Sequence, residues 1–415
     1  MNPGAYLLVV GWVLALLSGC AAVTQHQTVQ KEQILQRAQT EMAEEQLLDV
    51  WIGLFDPGEL PANEAQARGL SMDIRKAEAR YMPKHLRDIM EKTGYWGAVR
   101  VVPSETEGGE LLVNGIILFS DGEKLELEIQ AADATGKQWF SKVYEFELDP
   151  EAYTGRDAVD PELFQPLYDA IANDLAAYRA KLTGAELRNI RRVAEMRFAA
   201  DMAPEAFAGH LQKDNQEHYT LQRLPADDDP MYRRVQAIRE RDFLLIDTLN
   251  GHFDNFYQEM DEPYFEWRKA RSAEATELRK LKREANTRKA LGLAAILGAI
   301  AIEALGGDST SRSTGTLRNI MVVGGAYAIK TGFDKSAQYG IYRDAIEELG
   351  ESFSSEARPM VVEVEGETHE LTGSAEVQYS RWRELLRQIH ASETGLPPPA
   401  IEPTVGRDSA GHHGL

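Results

Sequence analysis

Residues 124–148 read KLELEIQAADATGKQWFSKVYEFEL, and this stretch decides the fold class. Leu125, Leu127 and Ile129 alternate with Glu126 and Glu128, and Tyr144, Phe146 and Leu148 alternate with Glu145 and Glu147. A period of two puts the apolar side chains on one face of a strand and the acids on the other, so two half-buried strands are expected. Asp133-Ala134-Thr135-Gly136-Lys137 has turn chemistry and joins them into a hairpin.

Upstream of the hairpin, Leu48 to Phe55 is an apolar run stopped by Asp56-Pro57-Gly58, a strand followed by a turn. Ser71 to Lys92 has helical spacing and is ended by Thr93-Gly94. Ala98 to Val102, closed by Pro103, and Glu110 to Phe119 read as strands. The expected fold class is α+β, with a β-α-β-β-β domain over 48–149 whose helix covers one sheet face.

That succession resembles a periplasmic domain of several outer-membrane lipoproteins, among them the curli-secretion lipoprotein and the lipoprotein activators of penicillin-binding proteins. The likeness is carried by a strand, a helix ending in Thr-Gly, a short strand, and the hairpin turned by Asp133 to Lys137 and followed by Trp139. It is confined to the 48–149 stretch. It implies a secretion or assembly factor and brings no catalytic residue.

The N-terminus points the same way. Ala5 to Leu17 is apolar, long enough for a signal-peptide core and too short for a membrane span of about 20 residues. Leu17-Ser18-Gly19-Cys20 then resembles the lipobox of bacterial lipoproteins. The resemblance implies a cleaved signal peptide over 1–19 and a lipid, palmitate included, on Cys20. The pattern departs in one respect: no Lys or Arg precedes the apolar run. Ala21 after the cysteine, rather than Asp, implies the periplasmic face of the outer membrane. Residues 20–47 are expected to be a polar tether that becomes helical. Cys20 is the one cysteine, so no internal disulfide staples the fold.

Beyond the hairpin, 150–290 reads as a helical domain. Thr183 and Glu186 form a capping box, and that helix should reach Met202. Asp227-Asp228-Asp229-Pro230 is an acidic cap with proline in the first turn. Ile238, Leu245, Leu249, Phe253, Phe256 and Met260 make one apolar stripe, read as core. Glu262-Pro263 is expected to break or kink the helix. From Arg268 to Lys289 nine Lys or Arg face three Glu, and Arg279, Lys280, Lys282, Arg283, Arg288 and Lys289 form its basic flank. Two readings stand: a solvated helix face, or attraction to anionic headgroups and cell-wall carboxylates.

Residues 291–332 form an apolar hairpin rich in Gly and Ala. Ala294, Gly298 and Gly306 in one arm and Gly324, Ala328 and Gly332 in the other recur at fourth positions, the spacing at which two helix backbones approach closely. Membrane contact, an oligomer interface with copies of itself, and a buried intramolecular pair are the three readings left open. Residues 333–393 read as helix, β-hairpin and a last helix capped by Ser374, and 394–415 as a disordered tail.

The net charge of −21 argues against nucleic acid as a partner. No H-E-x-x-H, C-x-x-C, G-x-S-x-G, P-loop or G-x-G-x-x-G occurs, so no metal, no catalytic residue and no cofactor beyond the Cys20 lipid is expected. His210 and His218 read as structural histidines. The expected role is a non-catalytic scaffold or assembly factor for an envelope or secretion complex. Its expected partners are the membrane, copies of itself, and an envelope protein or peptidoglycan. The competing expectation is a cell-envelope hydrolase with a composite carboxylate site, which would require a pocket with converging acids.

Overall fold

The computed structural model describes residues 24–62, 70–103, 108–149, 151–153, 162–226, 228–304, 341–351, 359–364 and 367–395. For 275, 277–304, 363–364 and 367 it describes the backbone alone. The architecture is mixed α/β: an N-terminal sheet wrapped by helices.

Strands β1 (Gln25–Thr28), β2 (Val50–Gly53), β3 (Val99–Val102), β4 (Leu111–Ser120), β5 (Lys124–Asp133) and β6 (Gln138–Glu147) form one sheet of order β1-β6-β5-β4-β2-β3. Helix α1 (Met72–Thr93) crosses between the parallel strands β2 and β3. Its Ser71 side chain accepts the Asp73 amide, and Gly94 closes it in the left-handed region. Every strand except β5 points the same way, because β1 runs parallel to β6, β2 parallel to β3 and β4, and β5 antiparallel to both neighbours.

The β-α-β-β-β order counts four strands; all five strands read from the sequence form, and the sheet adds a sixth. The sixth, β1, lies in the segment read as a helical tether. Four polar residues with no apolar alternation carry no strand signal, and their pairing with β6 is made by the backbone. The rest of that segment is also tied down: Val29 is buried, the Ala38 amide donates to the Thr93 carbonyl, and Arg179 donates to the Gln46 carbonyl. Over its described part the tether is a belt along the sheet domain.

The alternation of the β5–β6 hairpin is realised. Leu125, Leu127, Ile129, Tyr144 and Phe146 are buried beneath α1 and α2 (Gln165–Arg179), while Glu126, Glu128 and Glu145 face outward. Its turn is locked by Asp133, which accepts from the Thr135 amide and from Trp139 Nε1. Gly136 sits at φ +84°, where a Cβ would also collide with the Glu217 carbonyl.

Next come α3 (Gly184–Met202), with the Thr183–Glu186 capping box in place, the single turn α4 (Pro204–Phe207), and the small hairpin β7 (Leu211–Lys213)–β8 (Tyr219–Leu221). Helix α5 spans Pro230–Ala304, 75 residues, and Asp229 caps it by accepting the Met231 and Tyr232 amides. A helical stretch over 341–351 (α6) is followed by the antiparallel pair β9 (Met360–Val364)–β10 (Glu367–Leu371) and by α7 (Ala375–Thr394), capped by Ser374.

Pro263 does not break α5. Proline removes one N–H, and the turns on either side are held by the buried side chains of Met260, Tyr264 and Trp267. Packing crosses the expected boundary at 149, and the backbone of α5 passes the one at 290. Phe256, Met260, Tyr264 and Trp267 of α5 complete the core beneath the sheet, and the backbone helix runs through residue 290 to Ala304. A second core packs Trp51 and Val102 against α3, the first half of α5, β9, β10 and α7, and it takes in Ile238, Leu245, Leu249 and Phe253 of the stripe. At the β3 edge, one buried amide does the work of a missing strand: Asn250 accepts the Val101 amide and donates to the Val101 carbonyl. No described helix is long and apolar enough to cross a membrane.

Candidate functional site: the buried root of the long helix

The densest polar chemistry in the described residues lies where α5 passes α1 and the β4–β5 turn. Arg268 is 1% exposed and Glu162 5%, and Arg268 Nη1 donates to Glu162 Oε1 at 3.1 Å. The guanidinium also lies 4.3 Å from the Tyr264 ring centroid. The Tyr264 hydroxyl donates to Glu78 Oε1 at 2.7 Å, and Ser120 Oγ donates to the same oxygen at 2.6 Å. Arg75 Nε lies 3.9 Å from the other oxygen of Glu78, and Arg75 Nη1 donates to the Ile117 carbonyl at 2.7 Å.

Around this centre Tyr81 stacks on Tyr257 at 4.4 Å and donates to Asp261 Oδ1. His85 Nδ1 meets the Tyr257 hydroxyl at 2.7 Å, and Ser272 Oγ donates to Glu123 Oε1 at 2.9 Å. Gly122, at φ +89°, lets the β4–β5 turn approach the backbone of Arg268, which a Cβ would obstruct.

The electrostatics separate the two acids. Burial raises the Glu78 carboxyl above the ordinary range, and Arg75 and the two hydroxyl donors only partly offset it. Burial also opposes ionisation of Glu162, but the Arg268 guanidinium outweighs it and the net displacement is downward. Burial lowers His85, which favours the neutral ring. The site holds a charged pair and a reluctant acid in a closed interior. It fixes α5 to the sheet.

None of four shallow surface hollows reaches Glu78, Glu162 or Arg268. Their acids are mostly engaged. Asp133 holds its own turn and Glu186 its capping box. Asp201 pairs with Arg383 and Arg387, and Asp174 with Lys142. Glu370 and Glu384 share a fourth hollow with Arg381, open to solvent that screens both. On the outer sheet face His26, Glu126 and Glu145 bring ligand atoms within 4.8 Å of one another. Lys124 Nζ already lies 3.3 and 3.0 Å from those two carboxylates, so a resident ammonium occupies the space between them and offsets one of their two charges.

The residues singled out from sequence are elsewhere. Leu17, Ser18, Gly19, Cys20, Gly306, Gly324, Ala328 and Gly332 lie outside the described residues. Ala294 and Gly298 lie on α5, as do Arg279, Lys280, Lys282, Arg283, Arg288 and Lys289, each described by backbone alone. The start of the basic run is a correction to the solvated-face reading: Arg268 and Arg271 are buried. His210 is structural, its Nδ1 3.1 Å from the Arg223 carbonyl, and His218 pairs with Asp214. Asp227 lies outside the described residues. Sequence reasoning missed Glu78, Glu162 and Arg268 as a unit. The spacing of Arg75 and Glu78 was the one local signal available.

No family model, curated protein sequence or solved structure matches the chain.

Proposed function

We propose that this chain is a non-catalytic scaffold of the bacterial envelope, held by a lipid on Cys20 at the periplasmic face of the outer membrane. Its work is to present the distal part of α5 and the 291–332 hairpin to other copies or to an envelope or secretion partner. The observation that carries this reading is the continuity of α5. One helix is locked into the core at Arg268 and Ser272, then runs on for the thirty residues from Ala275 to Ala304, about 45 Å at ~1.5 Å per residue. A buried clamp at the base of a helix of that length transmits load between its far end and the sheet. In support, the acids lining the surface hollows serve turns, caps and ion pairs or stand exposed, while a hydrolase needs a pair converging where water is excluded.

The test compares the full chain with Cys20→Ala after export, followed by a high-pH carbonate wash and cross-linking. The expected result is that the natural chain stays with membranes and the variant is released. The natural chain should cross-link as multimers that Gly298→Leu abolishes without loss of helical circular dichroism. Retention of the variant would make the hairpin the anchor, and monomers throughout would end the self-association part of the proposal.

A further inference from the structure

The strand directions set two poles. β1 runs parallel to β6 with Gln25 opposite Lys142 and Thr28 opposite Glu145, so the chain enters β1 at the middle of β6, coming from the side of the pole where β6 begins. β4 points the same way and ends at Ser120, beside the turn whose Gly122 and Glu123 meet α5 at Arg268 and Ser272. α5 travels toward that far pole, because Asn250 lies at Val101, Tyr257 at His85, Tyr264 at Glu78 and Ser272 at Glu123. Ten-residue strands at ~3.3 Å per residue separate the poles by about 33 Å.

The near pole has a surface suited to headgroups. A hollow of 270 Å³ is lined by Gln25, Phe140, Lys142, Ala177, Tyr178 and Lys181, with Trp139 stacked on Tyr178 at 4.7 Å. Aromatic rings with polar tips beside long lysine stems are the side chains that settle at a membrane–water boundary. The acid in that lining, Asp174, is engaged by Lys142 Nζ at 2.6 Å and by the Tyr144 hydroxyl at 2.8 Å. Lys181 is exposed and lies over the Tyr178 ring at 5.9 Å. In a chain of net charge −21, a patch whose one acid is matched by Lys142 and which adds Lys181 offers an anionic surface little repulsion.

Chain length closes the argument. Gln25 is five residues from Cys20, at most about 17 Å of extended backbone, and it lies about 13 Å inside the start of β6, so in the direction of β1 Cys20 reaches just past the near pole. The chain cannot lengthen that leash, because Val29 is buried and the Gln36 amide donates to Asn173 Oδ1 at 2.8 Å.

We infer that the near pole, with Phe140, Lys142, Tyr178 and Lys181, rests on the phospholipid headgroups of the bilayer that holds the Cys20 lipid, and that α5 points away from it. This rests on the lipidation proposed above. It separates two of the readings left open from sequence: the arm emerging at the far pole addresses something other than the anchoring bilayer.

The test is amine acetylation read by mass spectrometry, on the natural chain in its membranes against the released Cys20→Ala chain. Lys181 should be protected several-fold on the membrane, while Lys76 and Lys269, 55% and 44% exposed at the far pole, react equally in both. Mass of the Cys20 peptide is read in the same digest. A lipid on Cys20 with Lys181 fully reactive, or with Lys269 protected instead, overturns the orientation and leaves the anchor standing. An unmodified Cys20 peptide removes the anchor and the orientation with it.

Discussion

Arg268 and Glu162 bind each other in a place that water does not reach, so neither can lose its partner cheaply. Arg268→Met should destabilise the chain by about 3–5 kcal/mol in urea unfolding, because an unpaired carboxylate is left inside. Adding Glu162→Leu should restore most of that loss; a double variant as weak as the single one would show that the pair is not the source. The two acids of the root respond oppositely to pH. The Glu162 carboxyl sits below its ordinary value, so its contribution is full above about 4.3 and fades as pH falls through the folded value. Glu78 sits above its ordinary value, so the folded chain keeps that proton longer and loses stability as pH rises through the displaced value. Glu78→Gln should therefore raise the urea midpoint at pH 8 and change it little near pH 4. An equal gain at both would remove burial of charge as the cause. None of this was legible in the sequence beyond the local pair of Arg75 and Glu78. Arg268 looked like the first member of a solvated basic run, and the partner that buries it is 106 residues away.

Elements differ in how much of their reason is local. The β5–β6 hairpin, α1 and the α3 capping box were legible because periodicity, a serine cap and a glycine stop all lie within the segment itself. β1 was not, since its pairing is backbone to backbone and its side chains are polar throughout. The continuity of α5 through Pro263 was hidden for another reason: burial of the flanking turns comes from α1 and the sheet. The edge of β3 shows how one element finishes another. Asn250 supplies both hydrogen bonds that a neighbouring strand would give Val101, so Asn250→Leu should cost about 2–4 kcal/mol by stranding a buried N–H and C=O. Amide exchange at Val101 should accelerate more than at Leu127 in the sheet centre; uniform acceleration would mean a global effect instead.

At the scale of the molecule, α3 and α5 belong to both cores, so among the described residues no seam separates one core from the other. Urea unfolding followed by tryptophan fluorescence and by far-ultraviolet circular dichroism should give one coincident transition, Trp51 and Trp382 reporting the second core and Trp96, Trp139 and Trp267 the first. Two separated transitions would restore the separate α+β and helical domains expected from the sequence. The sharing also sets a timetable. Glu78 waits for its Tyr264 donor until 186 further residues have been made, roughly 10–40 s at ~5–20 residues per second. Throughout that interval the underside of the sheet is a sticky, unfinished surface. A chain exported as proposed above has to be held unfolded over that interval by a holding chaperone, and a fragment truncated before residue 264 should be insoluble.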